Sequence, residues 1–300
     1  MDGSFCSRLW AELAGFLRRT VRFLTTGSST SSKSSLKGEF FDSMSLRRLL
    51  GGVRSRVLSG VQRREFRLPE GGPLISFTFD DFPLSALEVG GAILKSNGMS
   101  GTYYAAMGLM GKTSPEAGPY FSGGELETLL KDGHELGSHT FGHISCRTAS
   151  LSDFTADVMK GKEAVERITG ARPSHHFAYP YGHVTWRAKG MIGARLTSCR
   201  GIYPGINTSP VDLNLLRANN LYSGSYRWEA VRRLIEQNSQ QRGWLIFYTH
   251  DLSDRPSDFG CTPAQFESVV KLVQQSRATV LPVGKVAANA ASLPPYPKEK

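Results

Sequence analysis

Among the 300 residues there are only four cysteines, Cys6, Cys146, Cys199 and Cys261, and no two of them form a CxxC pair. That excludes a zinc-ribbon spacing and a disulfide framework, and the expectation is free thiols in a reducing compartment. Long apolar runs are missing too. In LWAELAGFLRRTVRFL the uncharged run between Glu12 and Arg18 is too short for the apolar segment of a signal peptide, and nothing approaches a membrane-spanning helix. A cytoplasmic location is expected. No internal repeat of fixed period stands out. AMGLMGKT lacks the first glycine of a phosphate-binding loop, since Ala106 holds that place. Pro115 and Gly118 then follow where a helix should begin, so nucleotide binding through this motif is excluded. The main part of the chain also lacks a charge excess. Net charge is +10, but residues 1–70 hold 13 Lys/Arg against 6 Asp/Glu, while residues 71–300 hold 23 against 20. No nucleic-acid partner is expected for so neutral a domain.

The basic excess is patterned. Residues 5–24 place Leu9, Leu13, Phe16, Leu17, Val21 and Leu24 at helical spacing, with Arg8, Arg18, Arg19 and Arg22 between them. After the flexible linker GSSTSSKSS, Leu46 to Val61 repeats this design with Leu49, Leu50, Val53 and Val57. Two readings stand level: residues 5–61 lie peripherally on the anionic inner face of a membrane, or they dock on protein. From about residue 72 short apolar runs alternate with helical stretches. PLISFTF, GTYYAA, HELGS, HHFAY, ARLTS, WLIFYT and ATVLPV read as strands. Helices are expected over 84–97, from Ser122 to about Gly133, and over 152–170, 184–192 and 225–240, with another opening at Thr262-Pro263-Ala264-Gln265. Ser122-Gly-Gly-Glu125 and Thr262 to Gln265 are capping boxes, the second with Pro at the first helical position. Such alternation implies parallel strands covered by helices. The expected division is an extension over 1–70, an α/β domain over 71–290 and a tail over 291–300.

In parallel α/β folds chemistry gathers where strands end. One strand here ends in Asp80-Asp81, two like charges that a nearby dication makes tolerable. A second leads to His139 and His143, a third to His250 and Asp251, and a fourth to the rigid turn Tyr179-Pro180-Tyr181-Gly182. Histidines four apart share one face of a helical turn, and neutral imidazoles so placed suit a divalent transition metal, at roughly 2.0–2.1 Å for zinc. One carboxylate completes a three-ligand set. Two histidines and a carboxylate also describe non-haem iron oxygenases, which the strand–helix alternation disfavours.

FTFDD, HELGSHTFGH, FAYPYG and LIFYTHD, in this order, resemble the motifs of the polysaccharide deacetylases, the NodB-homology domain of carbohydrate esterase family four. The similarity covers about residues 72–286. It implies a distorted (β/α) barrel and metal-dependent removal of acetyl groups from N-acetylated sugars in a polysaccharide, oligosaccharide or glycolipid precursor. By motif position it implies Asp81, His139 and His143 as metal ligands, Asp80 as catalytic base and His250 as catalytic acid. The turn Pro180-Tyr181-Gly182 would bind substrate, with the Tyr181 amide receiving the oxyanion. Zinc is the default ion; cobalt, nickel, manganese or iron suit the same ligands.

Three points stand against a simple transfer. Alternation along a strand sends Asp80 and Asp81 to opposite faces unless the chain bends, for which Pro83 gives a reason. An acidic neighbour is needed to keep His250 protonated near a dication, and Asp212 and Asp251 are the two candidates. Many members carry an arginine, which orients the catalytic aspartate, where this chain has Ala178. The same site would also serve a deformylase, an O-acetyl esterase or a cyclic-amide hydrolase, and Ala178 alone favours a non-catalytic carbohydrate-binding protein. His134, His175, His176 and His183 are expected to be structural, although His176 is near enough in sequence to reach the site. Trp186, Trp228 and Trp244 are expected to pack, with Trp228 or Tyr222 alternatively stacking on a sugar. No metal role is expected for Cys146.

Overall fold

Leu74–Asp80, which we call β1, is buried along its whole length. Its side chains alternate, so Ile75, Phe77 and Phe79 share one face and Ser76, Thr78 and Asp80 the other. The remaining strands of the main sheet are β2 (Thr102–Ala105), β3 (Glu135–Ser138), β4 (His176–Ala178), β5 (Ser198–Arg200), β6 (Asn219–Asn220), β7 (Trp244–Thr249) and β8 (Thr279–Val280). All pairings among them are parallel. Their order is β6–β7–β1–β2–β3–β4–β5, with β8 beside the start of β1. The computed structural model describes residues 58–170 and 175–288. The basic stretch over 5–24, nearly all of that over 46–61, and the tail over 291–300 lie outside them.

Helices α1 (Ala92–Ser96), α2 (Gly123–Lys131), α3 (Leu151–Thr169), α4 (Trp186–Gly193), α5 (Trp228–Gln241), α6 (Pro263–Gln275) and α7 (Val283–Val286) alternate with the strands. The apolar face of β1 packs on α6, where the Phe266 ring lies 5.3 Å from Phe77 and 5.7 Å from Phe79. The polar face turns into the barrel. There Thr78 donates to the Phe247 carbonyl at 2.9 Å and Ser76 to that of Leu281 at 2.7 Å. Trp244 Nε1 donates to Ser76 Oγ at 2.9 Å. Leu213 to Ala218 runs along the β5 edge through bonds such as Leu216 N–H to Cys199 O at 2.8 Å. The architecture is the distorted (β/α) barrel that the resemblance implies.

Both capping boxes are present, as Ser122 with Glu125 and Thr262 with Gln265. Each helix start so closed gains on the order of 1 kcal/mol. Two expected elements differ. The helix over 84–97 opens as a wide π-type turn, Ala86–Gly91, before α1. It packs so closely on β1 and β2 that a Cβ at Gly90 would lie 2.8 Å from the Phe79 ring, and one at Gly91 2.9 Å from Tyr103 Oη. The strand expected at ARLTS begins at Ser198 instead. Helical backbone continues to Ala194, and Ile192 and Leu196 bury themselves in the core under α4. That shift moves the strand end from Ser198 to Arg200.

Candidate metal centre and active site

Parallel pairing brings the C-terminal ends of β1, β3, β4, β5 and β7 to one mouth of the barrel, and with them Asp80, His139, Ala178, Arg200 and His250. Asp80 and Asp81 both serve it because the chain bends as expected. Asp81 and Phe82 take φ of 63° and 60°, left-handed values uncommon outside glycine. Phe82 anchors the bend by packing on Phe121 and Tyr103, at 4.8 and 4.9 Å between ring centres.

His139 and His143 do not share a helical turn. They sit on a loop in which Thr140 and His143 have φ of 63° and 55°. The loop is shaped from α3: the Asp157 carboxylate accepts from the amides of Phe141 (3.0 Å) and Gly142 (2.8 Å), competing successfully with helix formation. Gly161, one turn further along α3, lets the loop approach, since a Cβ there would lie 2.6 Å from the Thr140 carbonyl carbon. Neither residue stands out in the sequence, where an Asp and a Gly four apart on an otherwise ordinary helix are the available signal.

The result is three ligand atoms, from Asp81, His139 and His143, all within 4.8 Å of one another. Asp81 Oδ1 lies 3.1 Å from His143 Nε2 and 3.5 Å from His139 Nε2. It is buried, with no aligned hydrogen-bond donor among the described residues. His139 Nδ1 is 2.8 Å from the Ala178 carbonyl, which can only accept, so its proton is on Nδ1 and the Nε2 lone pair faces Asp81. Lone pairs converging on a buried carboxylate oxygen fit a divalent cation with N2O ligands. Burial pushes the His139 imidazole down to about 4, against the pull of Asp80 and Asp81. Burial opposes ionisation of Asp81, but the close approach of His143 and the imidazoles of His139 and His250 hold it below the usual carboxylate range.

His250 stands opposite, its Nε2 3.9 Å from Asp81 Oδ2. Its Nδ1 is 3.2 Å from the Phe259 carbonyl, which leaves Nε2 facing the site. Neither expected acidic neighbour is there. Asp212 pairs with Lys189 Nζ at 2.6 Å, and Asp251 accepts from the Ser257 amide at 2.9 Å. A carbonyl orients the ring instead. Pro180–Gly182 forms a tight turn with Tyr181 at φ 59°, and the Tyr181 ring lies 4.6 Å from that of His143. Gly182 is required: a Cβ would fall 2.1 Å from Ile202. Asp80 is buried and accepts from Arg200 Nη2. Ala178 is in register with Arg200 on the neighbouring strand.

Of the other candidates, His134 is a core residue whose Nδ1 accepts from the Gly101 amide at 3.0 Å. His176 lies at the opposite end of the barrel, bonded to Ser198 Oγ at 2.8 Å. His175 pairs with Glu166, and His183 bonds Ser145. Cys146 donates to the His183 carbonyl at 3.0 Å. Tyr222 is beside the site, its ring 5.9 Å from that of His250. Trp244 is buried, but Trp186 and Trp228 are 51% and 38% exposed, contrary to expectation. Both start a helix, on its solvent side.

Residues 67–192 match the family described as polysaccharide deacetylase. Over that segment the chain resembles the polysaccharide deacetylases. Its relatives include a chitin deacetylase of Colletotrichum lindemuthianum, 25% identical over 181 residues, which are 56% of this chain. The match spans 66% of that relative's length. A putative polysaccharide deacetylase from Mycobacterium smegmatis has a similar fold, with TM-score 0.51 and 14% identity over 79% of this chain and 99% of the other. So does a mutant of a family pseudoenzyme from Bacillus anthracis, with TM-score 0.50 and 11% identity over 75% and 71%. At these identities the likenesses show the fold alone, so the case for catalysis rests on the site.

Proposed function

We propose that this protein is a metal-dependent hydrolase that removes acetyl groups from the nitrogen of an N-acetylated carbohydrate. The observation that carries this reading is the convergence of Asp81, His139 and His143 on one point, with Asp80 and His250 on the same mouth. Asp81, His139 and His143 would hold the ion, with zinc the first choice for such ligands. When bound, a dication lowers the pKa of its water toward about 7 and polarises an amide carbonyl.

The chain's own residues do the rest. Asp80 takes a proton from the water as it attacks the acetyl carbon. The Tyr181 turn, on the His143 side, offers its amide to the developing oxyanion. His250 Nε2 gives a proton to the nitrogen as the C–N bond breaks, so acetate and a free amine leave. The fixed Nδ1 proton of His250 suits this, because only Nε2 has to exchange a proton.

The test is acetate release by the purified zinc-loaded protein from an N-acetylated sugar, with formamido and acetoxy sugars alongside. Acetate is expected from the acetamido sugar. Asp80→Asn is expected to abolish release while one metal per chain remains bound. Equal acetate release from the metal-stripped protein would overturn the reading.

A further inference from the structure

Arg200 is the largest charged side chain wholly buried in the barrel, and none of the expected roles includes it. From the end of β5 its guanidinium crosses the interior to β1, where Nη2 donates to Asp80 Oδ1 and Nη1 to the Gly201 carbonyl at 3.0 Å. The rings of Tyr104 on β2 and Tyr248 on β7 lie 5.1 and 5.0 Å from its central carbon. Tyr104 can occupy this layer because its neighbour on β3 is Gly137, where a Cβ would be 2.6 Å from the ring. Burial works against the charge of Arg200, but Asp80 together with Tyr104 and Tyr248 more than offsets it, so the guanidinium remains charged.

Stability alone does not account for this arrangement. Desolvating two charges costs several kcal/mol per ion, and well-packed apolar residues of similar volume often serve a core as well or better. What the pair provides is geometry. A planar guanidinium held against two rings has one orientation, and a carboxylate bonded to it through Oδ1 has its rotation fixed. The described hydrogen bonds leave Oδ2 of Asp80 without a partner, the oxygen available to take a proton.

We propose that Arg200 is the positioning residue for Asp80, and that the guanidinium can be delivered equally from residue 178. Ala178 pairs with Arg200 across β4 and β5, and partners in a parallel pair project to the same face. Ala178 is buried, and its carbonyl is engaged by His139. Arginine at 178 therefore enters the space that truncating Arg200 opens, without disturbing the backbone acceptor. The catalytic part of this inference rests on the deacetylase reading; the positioning part does not.

The test compares wild type, Arg200→Ala, Arg200→Lys and the double variant Arg200→Ala/Ala178→Arg. We expect Arg200→Ala to lose about 100-fold in kcat with KM and metal content nearly unchanged, since a misplaced catalytic group costs about that much. Arg200→Lys, which keeps the charge but not the planar fork, should lose about tenfold. The double variant should regain at least about tenfold over Arg200→Ala. Arg200→Lys with wild-type kcat, or a folded Arg200→Ala that keeps most of its activity, overturns the proposal; so does a folded double variant without rescue. Should Arg200→Ala fail to fold, the lysine and double variants decide. If the wild type itself deacetylates nothing, the functional reading fails separately. Crystal structures then decide, with the Asp80 rotamer expected to change in Arg200→Ala and return in the double variant.

Discussion

Asp81 holds a left-handed backbone, a buried carboxylate oxygen and two imidazoles at that Oδ1, and each of these suits an aspartate. Asp and Asn tolerate positive φ because their short polar side chains bond locally, whereas most residues are strained there. Asp81→Asn should therefore keep the bend at Phe82 and lose the charge. We expect its zinc affinity to fall at least about 100-fold, beyond what loss of an outer neighbour costs, with little change in thermal midpoint. Competition against a chromophoric chelator reads the first and calorimetry the second. Unchanged zinc affinity would remove Asp81 from the ligand set. At this scale much was legible. The paired carboxylate at a strand tip and the two histidines four apart stand out in the sequence, and the fold brings Asp81, His139 and His143 together. Arg200 was not legible, because its role depends on where β5 starts, and a shift of a few residues hid a loaded strand end.

Helix α3 shows what an element contributes to a site it does not enter. Asp157 holds the amides of Phe141 and Gly142, and Gly161 admits the backbone of Thr140. In an exposed helix, alanine would be favoured over glycine by up to about 1 kcal/mol. At 161 the new Cβ meets backbone that cannot give way cheaply, so Gly161→Ala should push the histidine loop outward. Zinc affinity is expected to fall about tenfold or more, the scale of changes just outside the ligands, while helix content by circular dichroism stays the same. Tighter zinc binding would show that the loop is not set from α3. Elements with strong local signals matched the sequence well, among them both capping boxes and the buried runs of β1 and β7. The HxxxH loop did not, since its spacing alone suggests a helical turn. A side chain from α3, 14 or more residues away in sequence, decides otherwise.

Across the whole domain several histidines are buried within or against a largely apolar core, and this couples stability to pH. Burial lowers the imidazole values of His134, His139, His175 and His176, that of His139 to about 4. In the unfolded chain these groups titrate near 6.5. Above that value neither state binds a proton at these sites, and their effect on stability is constant. Between about 6.5 and 4 the unfolded chain takes up protons that buried His139 refuses, so unfolding gains on the order of 1.4 kcal/mol per pH unit from this residue alone. His134, His175 and His176 act in the same direction. The metal-free protein should therefore lose stability as pH falls from 7 to 5, seen as a steady decrease in urea midpoint at constant slope. His139→Gln removes one such group and should flatten the decline by about its share. A midpoint that holds or rises on acidification would mean that these imidazoles are already charged in the fold. The lone-pair geometry that suits the Asp81 site to a cation would then be lost with them.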